Sequence, residues 1–293
     1  MKVNSLHFEN YRNLKDDTII PSDRVNVIYG ENANGKTNLL EALWLFCGGH
    51  SFRGAKESEL IRFDREFFRL KMSFESGERE QTAEILFDKN KKSIRINEVE
   101  KNSSSYLTEV FSAVVFSPEH LSLIKQGPTV RRRFLDAAIC QQRIRYASLL
   151  SQYGRIINQR NALLKDIYKN SDLKETLFIW DDSLSAAGAQ IIKERFEYIR
   201  QLRETAKKYH SGISGDKEEL EVVCQCTTKA EESDSIEIIR DKLKNAFYPR
   251  GRRIIARVIP PSAPTEMILR SGSTVFPQGD SVLRDSSARR SCR

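Results

Sequence analysis

No stretch of this 293-residue sequence is apolar for long enough to cross a bilayer. The longest apolar run, Leu39 to Cys47, is broken by Glu41, and the N-terminus lacks the charged-then-apolar pattern of a secretion signal. A cytosolic location with no membrane partner is therefore expected. Cysteine is sparse: Cys47, Cys140, Cys224, Cys226 and Cys292 form an odd, scattered set, which argues against a disulfide framework and suits a reducing compartment. Cys224 and Cys226 sit one residue apart in an alternating apolar stretch with no second Cys/His pair, so an inward-facing strand edge explains them better than a metal site. Histidine is equally thin, and His7, His50 and His210 have no paired carboxylate or thiol signal beside them.

Lysine is missing from one end of the chain. From Ala246 onward there are nine arginines, no lysine and three acids, a net +6 out of the total +8. Five of the eight prolines fall there too. The basic excess thus belongs to the tail, and whether it speaks of nucleic acid depends on whether that tail is authentic. The remainder, in a chain 39% hydrophobic and 30% charged, has the balance of a globular protein.

Val3 to Phe8 alternates as a strand, and Arg24 to Tyr29 is a β-rich segment running into glycine. Asn38 to Phe46 is rich in helix formers and closes on Gly48 and Gly49. Further strands are expected at Phe67 to Ser73, Ala83 to Phe87, Ser93 to Ile96 and Ala113 to Phe116. Beyond Pro128 the period changes to three and four residues: Tyr146, Leu149, Tyr153, Ile156, Arg160, Leu163, Ile167, and again Leu177, Trp180, Leu184, Ala187, Ile191. Two such helices joined at Asn170 to Asp172 would fold back as an antiparallel hairpin, although two ordinary core helices give the same periodicity. A returning strand at Glu219 to Cys226 and a helix at Ser233 to Asn245 follow.

Between the second strand and the first helix lies Gly30, Glu31, Asn32, Ala33, Asn34, Gly35, Lys36, Thr37, which matches G-x-x-x-x-G-K-[ST]. Gly30 and Gly35 let the backbone curl so that successive N–H groups point at phosphate oxygens. Lys36 would reach the outer phosphates, and the Thr37 hydroxyl would ligate Mg²⁺. The helix that follows adds its positive end. ATP and Mg²⁺ are the expected ligands, but such a loop alone does not choose among kinases, GTPases, helicases and ATP-switched clamps.

Other residues narrow the choice. Leu6-x-Phe8-x-Asn10-Tyr11-Arg12-Asn13-Leu14, the loop from Gly30 through Ala42, Ser51-Phe52-Arg53, Phe116-Ser117-Pro118-Glu119-His120-Leu121 and the run Arg131-Arg132-Arg133-Phe134-Leu135-Asp136 resemble the RecF family, within the ABC-type heads shared with SMC proteins. His120 departs from the aspartate usual at that place, so no acid role is carried over to it. The resemblance covers about residues 1 to 245. It implies an α/β fold, a P-loop ABC-type ATPase head with an inserted antiparallel helical arm. The implied organisation is a head lobe over 1–127, the arm over 128–211, a returning strand and helix over 212–246, and a tail over 247–293.

It also implies weak ATPase activity, ATP-driven homodimerisation, binding of duplex, single-stranded or gapped DNA, and cooperation with RecR and RecO. The setting would be recombinational repair, replication, post-replication gap repair and the SOS response. Arg12 and Arg53 resemble arginines near nucleotide or DNA in such heads, with a solvated charge as the competing reading. Arg131, Arg132 and Arg133 would suit a phosphate backbone, but they open a helix, where cations are disfavoured, and pairing with acids such as Asp136 explains them equally well.

Such a head also needs a signature motif and an apolar strand ending in an acidic pair. Neither is legible after Asn245. If each codon is rebuilt from the third base of one residue and the first two of the next, however, Arg257 through Leu269 permits Gly-Tyr-Thr-Thr-Val-Gly-Pro-His-Arg-Asp-Asp-Ile. Val282 through Ala288 likewise permits Ser-Gln-Gly-Gln-Gln-Arg. Both strings resemble the family's motifs, in order and at its spacing. The expectation is therefore an incomplete head whose reading frame slips before about Arg257, leaving 247–293 an out-of-frame, disordered tail and the site without a catalytic acid. The competing readings are another ABC-type head, such as a nuclease-associated ATPase, and a truncated module whose helical arm binds a protein.

Overall fold

The computed structural model describes residues 1–48, 50–77, 79–88, 91–117, 127–167 and 169–247, together with the backbone of 265–273. Its first lobe is a six-stranded antiparallel sheet in the order β2-β1-β3-β4-β5-β6. The strands are β1 (Lys2–Glu9), β2 (Asp17–Ile19), β3 (Phe67–Ser76), β4 (Arg79–Asp88), β5 (Lys91–Ile96) and β6 (Val99–Lys101). Alternation sets one buried face: Leu6 and Phe8, then Phe68, Leu70, Met72 and Phe74, then Ala83, Ile85 and Phe87, then Ile94 and Ile96. The register places Phe8 opposite Leu70, Leu70 opposite Ile85, and Ile85 opposite Ile94, so one apolar row crosses four strands. Helix α1 (Lys36–Leu45) contributes Ala42 and Leu45 to this core, with Phe46 and Cys47 from its C-terminal end. The short α2 (Ser105–Val110) adds Leu107, and Phe111 follows it.

The second lobe is helical: α3 (Pro128–Gln142), α4 (Ile144–Ile167), α5 (Leu177–Ser214) and α6 (Ile236–Phe247), with strand β7 (Glu218–Cys226) between the last two. Its core joins Ile139, Tyr146, Tyr153, Ile157, Leu184, Ile191, Phe196 and Ile199 to Val222 of β7 and Leu243 of α6. Ion pairs fix the direction of the hairpin. Arg143 meets Glu194 and Glu197, whereas Arg160, further along α4, meets Asp181, earlier on α5. The expected antiparallel arm is therefore present, and α5 ends where Gly215 takes the left-handed conformation, φ 61° and ψ 41°.

Two expectations fail. Arg24 to Tyr29 is not a strand: it makes no ladder pairing, with Val25, Val27 and Tyr29 exposed, and its start is folded into a turn by hydrogen bonds between Ser22 and Asn26. Ala113 to Phe116 is likewise unpaired, with Val114 98% and Phe116 85% exposed. The same physics accounts for both, since β-rich sequence becomes strand only where a neighbour completes the ladder, and no described strand pairs with either segment. Within the stretch 247–293, expected to be an out-of-frame tail, β8 (Thr265–Ser273) pairs antiparallel along the whole of β7; residues 248–264 and 274–293 lie outside the described residues. Main-chain pairing needs no matched side-chain period on the incoming strand, which is why this strand is not legible in the sequence.

Candidate functional site

The turn from Asn10 to Leu14, the loop from Gly30 to Gly35, the start of α1 and the turn at Ser51 to Gly54 meet at one end of the first sheet. In the loop, Gly30 has φ 145°, Ala33 φ 68° and Gly35 φ 83°. Positive φ at these three positions curls the backbone back on itself, as an anion-binding nest requires. A Cβ on Gly35 would lie 2.4 Å from Leu14 Cδ2 and 2.9 Å from Asn13 Oδ1, so glycine is required there both by φ and by contact. Leu39 N–H donates to the Gly35 carbonyl at 3.0 Å, which starts α1 directly from the loop. No side chain caps that end, so the first N–H groups and the positive end of α1 face the loop.

Lys36 folds back, its Nζ donating to the Gly30 carbonyl at 2.9 Å and the Glu31 carbonyl at 2.7 Å. The ammonium is thus held over the loop's mouth, within reach of anything seated on the N–H groups. Glu31, Asn32, Ala33 and Asn34 are exposed along the outer side, as is Thr37 on the first turn of α1. These residues fit a polyphosphate: curled main-chain donors, one lysine, one hydroxyl at a helix start. For Mg²⁺ they offer the Thr37 hydroxyl, and among the described residues no group of three or more His, Cys, Asp or Glu side chains is placed to hold a metal. The expected strand before this loop does not form; the loop and the helix after it do.

Arg12 clamps the site from below. Its Nε and Nη2 donate to the two oxygens of Glu41 at 3.1 Å each, and its Nη1 donates to the Glu59 carbonyl at 3.1 Å. The Glu41 side chain is wholly buried, and it also accepts from the Ser51 hydroxyl. A buried carboxylate needs such partners, so in this structure Arg12 ties the 10–14 turn to α1. Arg53 lies on the exposed turn after α1 and donates from Nη1 to Asn38 Oδ1 at 3.2 Å. Arg131, Arg132 and Arg133 open α3 in the other lobe, where Arg132 Nη2 donates to Thr129 Oγ1 at 3.2 Å. Asp136 is engaged elsewhere. It accepts from Arg195 at 2.8 and 2.9 Å and from the Tyr146 hydroxyl at 2.6 Å, locking α3 onto α5. His120, with Pro118 and Glu119, lies outside the described residues. Asn13, visible in the sequence only as part of the Leu6 to Leu14 motif and given no role there, donates from Nδ2 to the Ala33 carbonyl at 2.6 Å.

A family model described as AAA domain matches residues 5–247. DNA replication and repair protein RecF of Bacillus cereus is 37% identical over 258 residues, 88% of this chain and 69% of its own length. The chain belongs to the RecF family. The RecF of Acetivibrio thermocellus is 38% identical over 223 residues, 76% of this chain. This chain spans 60% of the length of that relative. A solved structure of the recombination mediator protein RecF-ATP in the RecFOR pathway superposes with a TM-score of 0.83 at 34% identity, covering 92% of this chain and 73% of that one. A second, RecF-ATPrS, gives 0.79 at 33% identity over the same shares. Membership of the RecF family fixes the fold as an ABC/SMC-like P-loop head with a helical arm. Among the described residues, no helix is long and apolar enough to cross a membrane.

Proposed function

We propose that this chain is the nucleotide-holding portion of a RecF-like protein of recombinational repair and replication, and that residues 30–37 bind ATP, with Thr37 contributing to Mg²⁺. The observation that carries the reading is the loop itself: three positive-φ residues, a lysine folded back onto the loop's own carbonyls and an uncapped helix start in one place. Its likeness to DNA replication and repair proteins, and to the solved RecF-ATP structure, supports the reading. When bound, ATP and its metal would supply the energy of phosphoryl transfer. This chain's residues would bind and orient the phosphates.

Turnover requires more: charges that grip the γ-phosphate from the far side and a group that positions water. The loop's outer side is exposed, and the apolar Val25, Val27 and Tyr29 beside it lie unpaired, which supports a head lacking its second half. The proposed chain therefore binds ATP weakly and does not hydrolyse it. In a complete family member, ATP-driven homodimerisation, binding of duplex, single-stranded or gapped DNA, cooperation with RecR and RecO, and a role in gap repair and the SOS response in the cytosol would follow. Arg53 and the Arg131 to Arg133 run are the candidate phosphate contacts. Titrating the 293-residue protein with ATP in a calorimeter, and assaying phosphate release alongside, tests this. Binding that vanishes in Lys36→Ala, without turnover, is expected; robust hydrolysis lost in Lys36→Ala would overturn the defect, and equal binding by both proteins would overturn the site.

A further inference from the structure

The phosphate loop is held by side chains that its motif does not contain. Asn13 Nδ2 donates to the carbonyl of Ala33 at 2.6 Å, on the residue with the loop's one non-glycine positive φ. Asn38, one turn into α1, donates through Nδ2 to Asn13 Oδ1 at 2.7 Å, and Arg53 Nη1 donates to Asn38 Oδ1 at 3.2 Å. Every amide in this series acts as acceptor on one side and donor on the other, so their orientations are fixed in one sense only. Asn13 is anchored in turn: Arg12 N–H donates to the Leu60 carbonyl at 2.8 Å, Leu14 N–H to the Tyr11 carbonyl at 3.0 Å, and Arg12 grips Glu41 of α1. Asn13 and Leu14 also press on Gly35 from beneath.

We infer that Asn13 is a positioning residue of the phosphate loop, holding the strained Ala33 peptide so that the loop's N–H groups converge before any nucleotide arrives, with Asn38 and then Arg53 orienting its amide. This rests on reading residues 30–37 as a phosphate loop. An Ala33 carbonyl left without its donor would let the peptide relax toward negative φ and turn neighbouring N–H groups away from the anion position. Preorganisation of this kind raises affinity by sparing the ligand the cost of ordering the loop.

The test uses the full 293-residue protein in four variants. Asn13→Ala removes the amide; Asn13→Asp keeps the acceptor for Asn38 but sets an oxygen against the Ala33 carbonyl; Asn38→Ala removes the orienting partner; Asn13→Ala with Asn38→Ala closes a cycle. Amide hydrogen exchange without nucleotide should quicken about three- to tenfold in peptides covering 30–37 in Asn13→Ala and Asn13→Asp, the change expected for one lost hydrogen bond. Peptides from β3 to β5 should exchange as in wild type. Because Asn38 acts through Asn13, the double variant should be no worse than Asn13→Ala alone. Affinity for an ATP analogue bearing a fluorescent ribose substituent should fall in step with loop exchange.

Unchanged loop exchange in both Asn13 variants overturns the inference, as does faster exchange with undiminished analogue affinity. So does a double variant whose two effects simply add. If wild type and Lys36→Ala bind the analogue equally, the phosphate-loop reading itself fails, an outcome distinct from the others. Should Asn13→Ala quicken exchange throughout β3 to β5, Asn38→Ala, which changes no residue of the 10–14 turn, decides the matter by the same two readouts.

Discussion

Arg160 and Asp181 form a salt bridge, Nε to Oδ1 at 2.6 Å, in which neither side chain is more than 4% exposed. Arg160 occupies a position in the apolar stripe of α4, and its guanidinium also stacks 5.6 Å from the ring centre of Phe247. Removing one partner strands a charge in the core. Asp181→Ala is therefore expected to cost about 3–5 kcal/mol, whereas replacing both residues by leucine should cost far less. Urea unfolding of the two variants followed by circular dichroism checks the contrast; equal losses would contradict it.

Gly30 and Gly35 should respond differently to alanine. At Gly30 a Cβ would meet nothing within 4 Å, so only the backbone strain of φ 145° opposes it. At Gly35 strain and collision with Leu14 and Asn13 add together. Gly30→Ala should cost about 1–3 kcal/mol and Gly35→Ala more than that. Chemical denaturation of both variants, run side by side, gives the order directly.

Acid should loosen α6 from α5. Hydrogen bonds from Lys244 and Arg240 hold the Asp182 carboxyl below its ordinary value of 3.8. A group whose pKa is depressed by folding contributes stability that is full above its unfolded value and is lost as pH falls through the folded one. The contribution should thus be intact at pH 6 and decline below about pH 4, an upper limit set by the unfolded carboxyl. In Asp182→Asn the slope of stability against pH below 4 should flatten, read from melting midpoints at pH 6, 4 and 3. The carboxylate is about half exposed, so the effect is modest and weakens with salt.

Thiol chemistry should be slow at three of the cysteines. Burial pushes the thiols of Cys47, Cys140 and Cys224 up to about 12, the last two also feeling Asp136 and Cys226 respectively. At pH 8 almost none of each is thiolate, which is the reactive form. Peptide mass spectrometry after brief iodoacetamide treatment should find these three unmodified in the native protein and alkylated in urea. Rapid native alkylation at any of them would show that its pocket opens.

Much of this architecture is legible in the sequence because it is local. The period of α4 and α5 foretells two helices, and strands are legible over Phe67 to Ser73 and Ala83 to Phe87. The glycine spacing before Lys36 foretells a curled loop. What escapes depends on distant partners. Arg12 reads as a free charge until Glu41, 29 residues on, is folded against it. Asp136 sits in sequence beside three arginines yet pairs with Arg195, 59 positions away. Val25 and Val27 have every attribute of strand residues except a neighbour. Asn13 looks like any turn asparagine, because nothing in its own surroundings announces the Ala33 carbonyl.

The ladder between β7 and β8 is written in main-chain atoms. Peptide groups are the same whatever side chains they carry, so a segment can dock there without an apolar period suited to the role. The outer edge of β7 is thereby covered by hydrogen bonds that do not depend on which side chains follow α6.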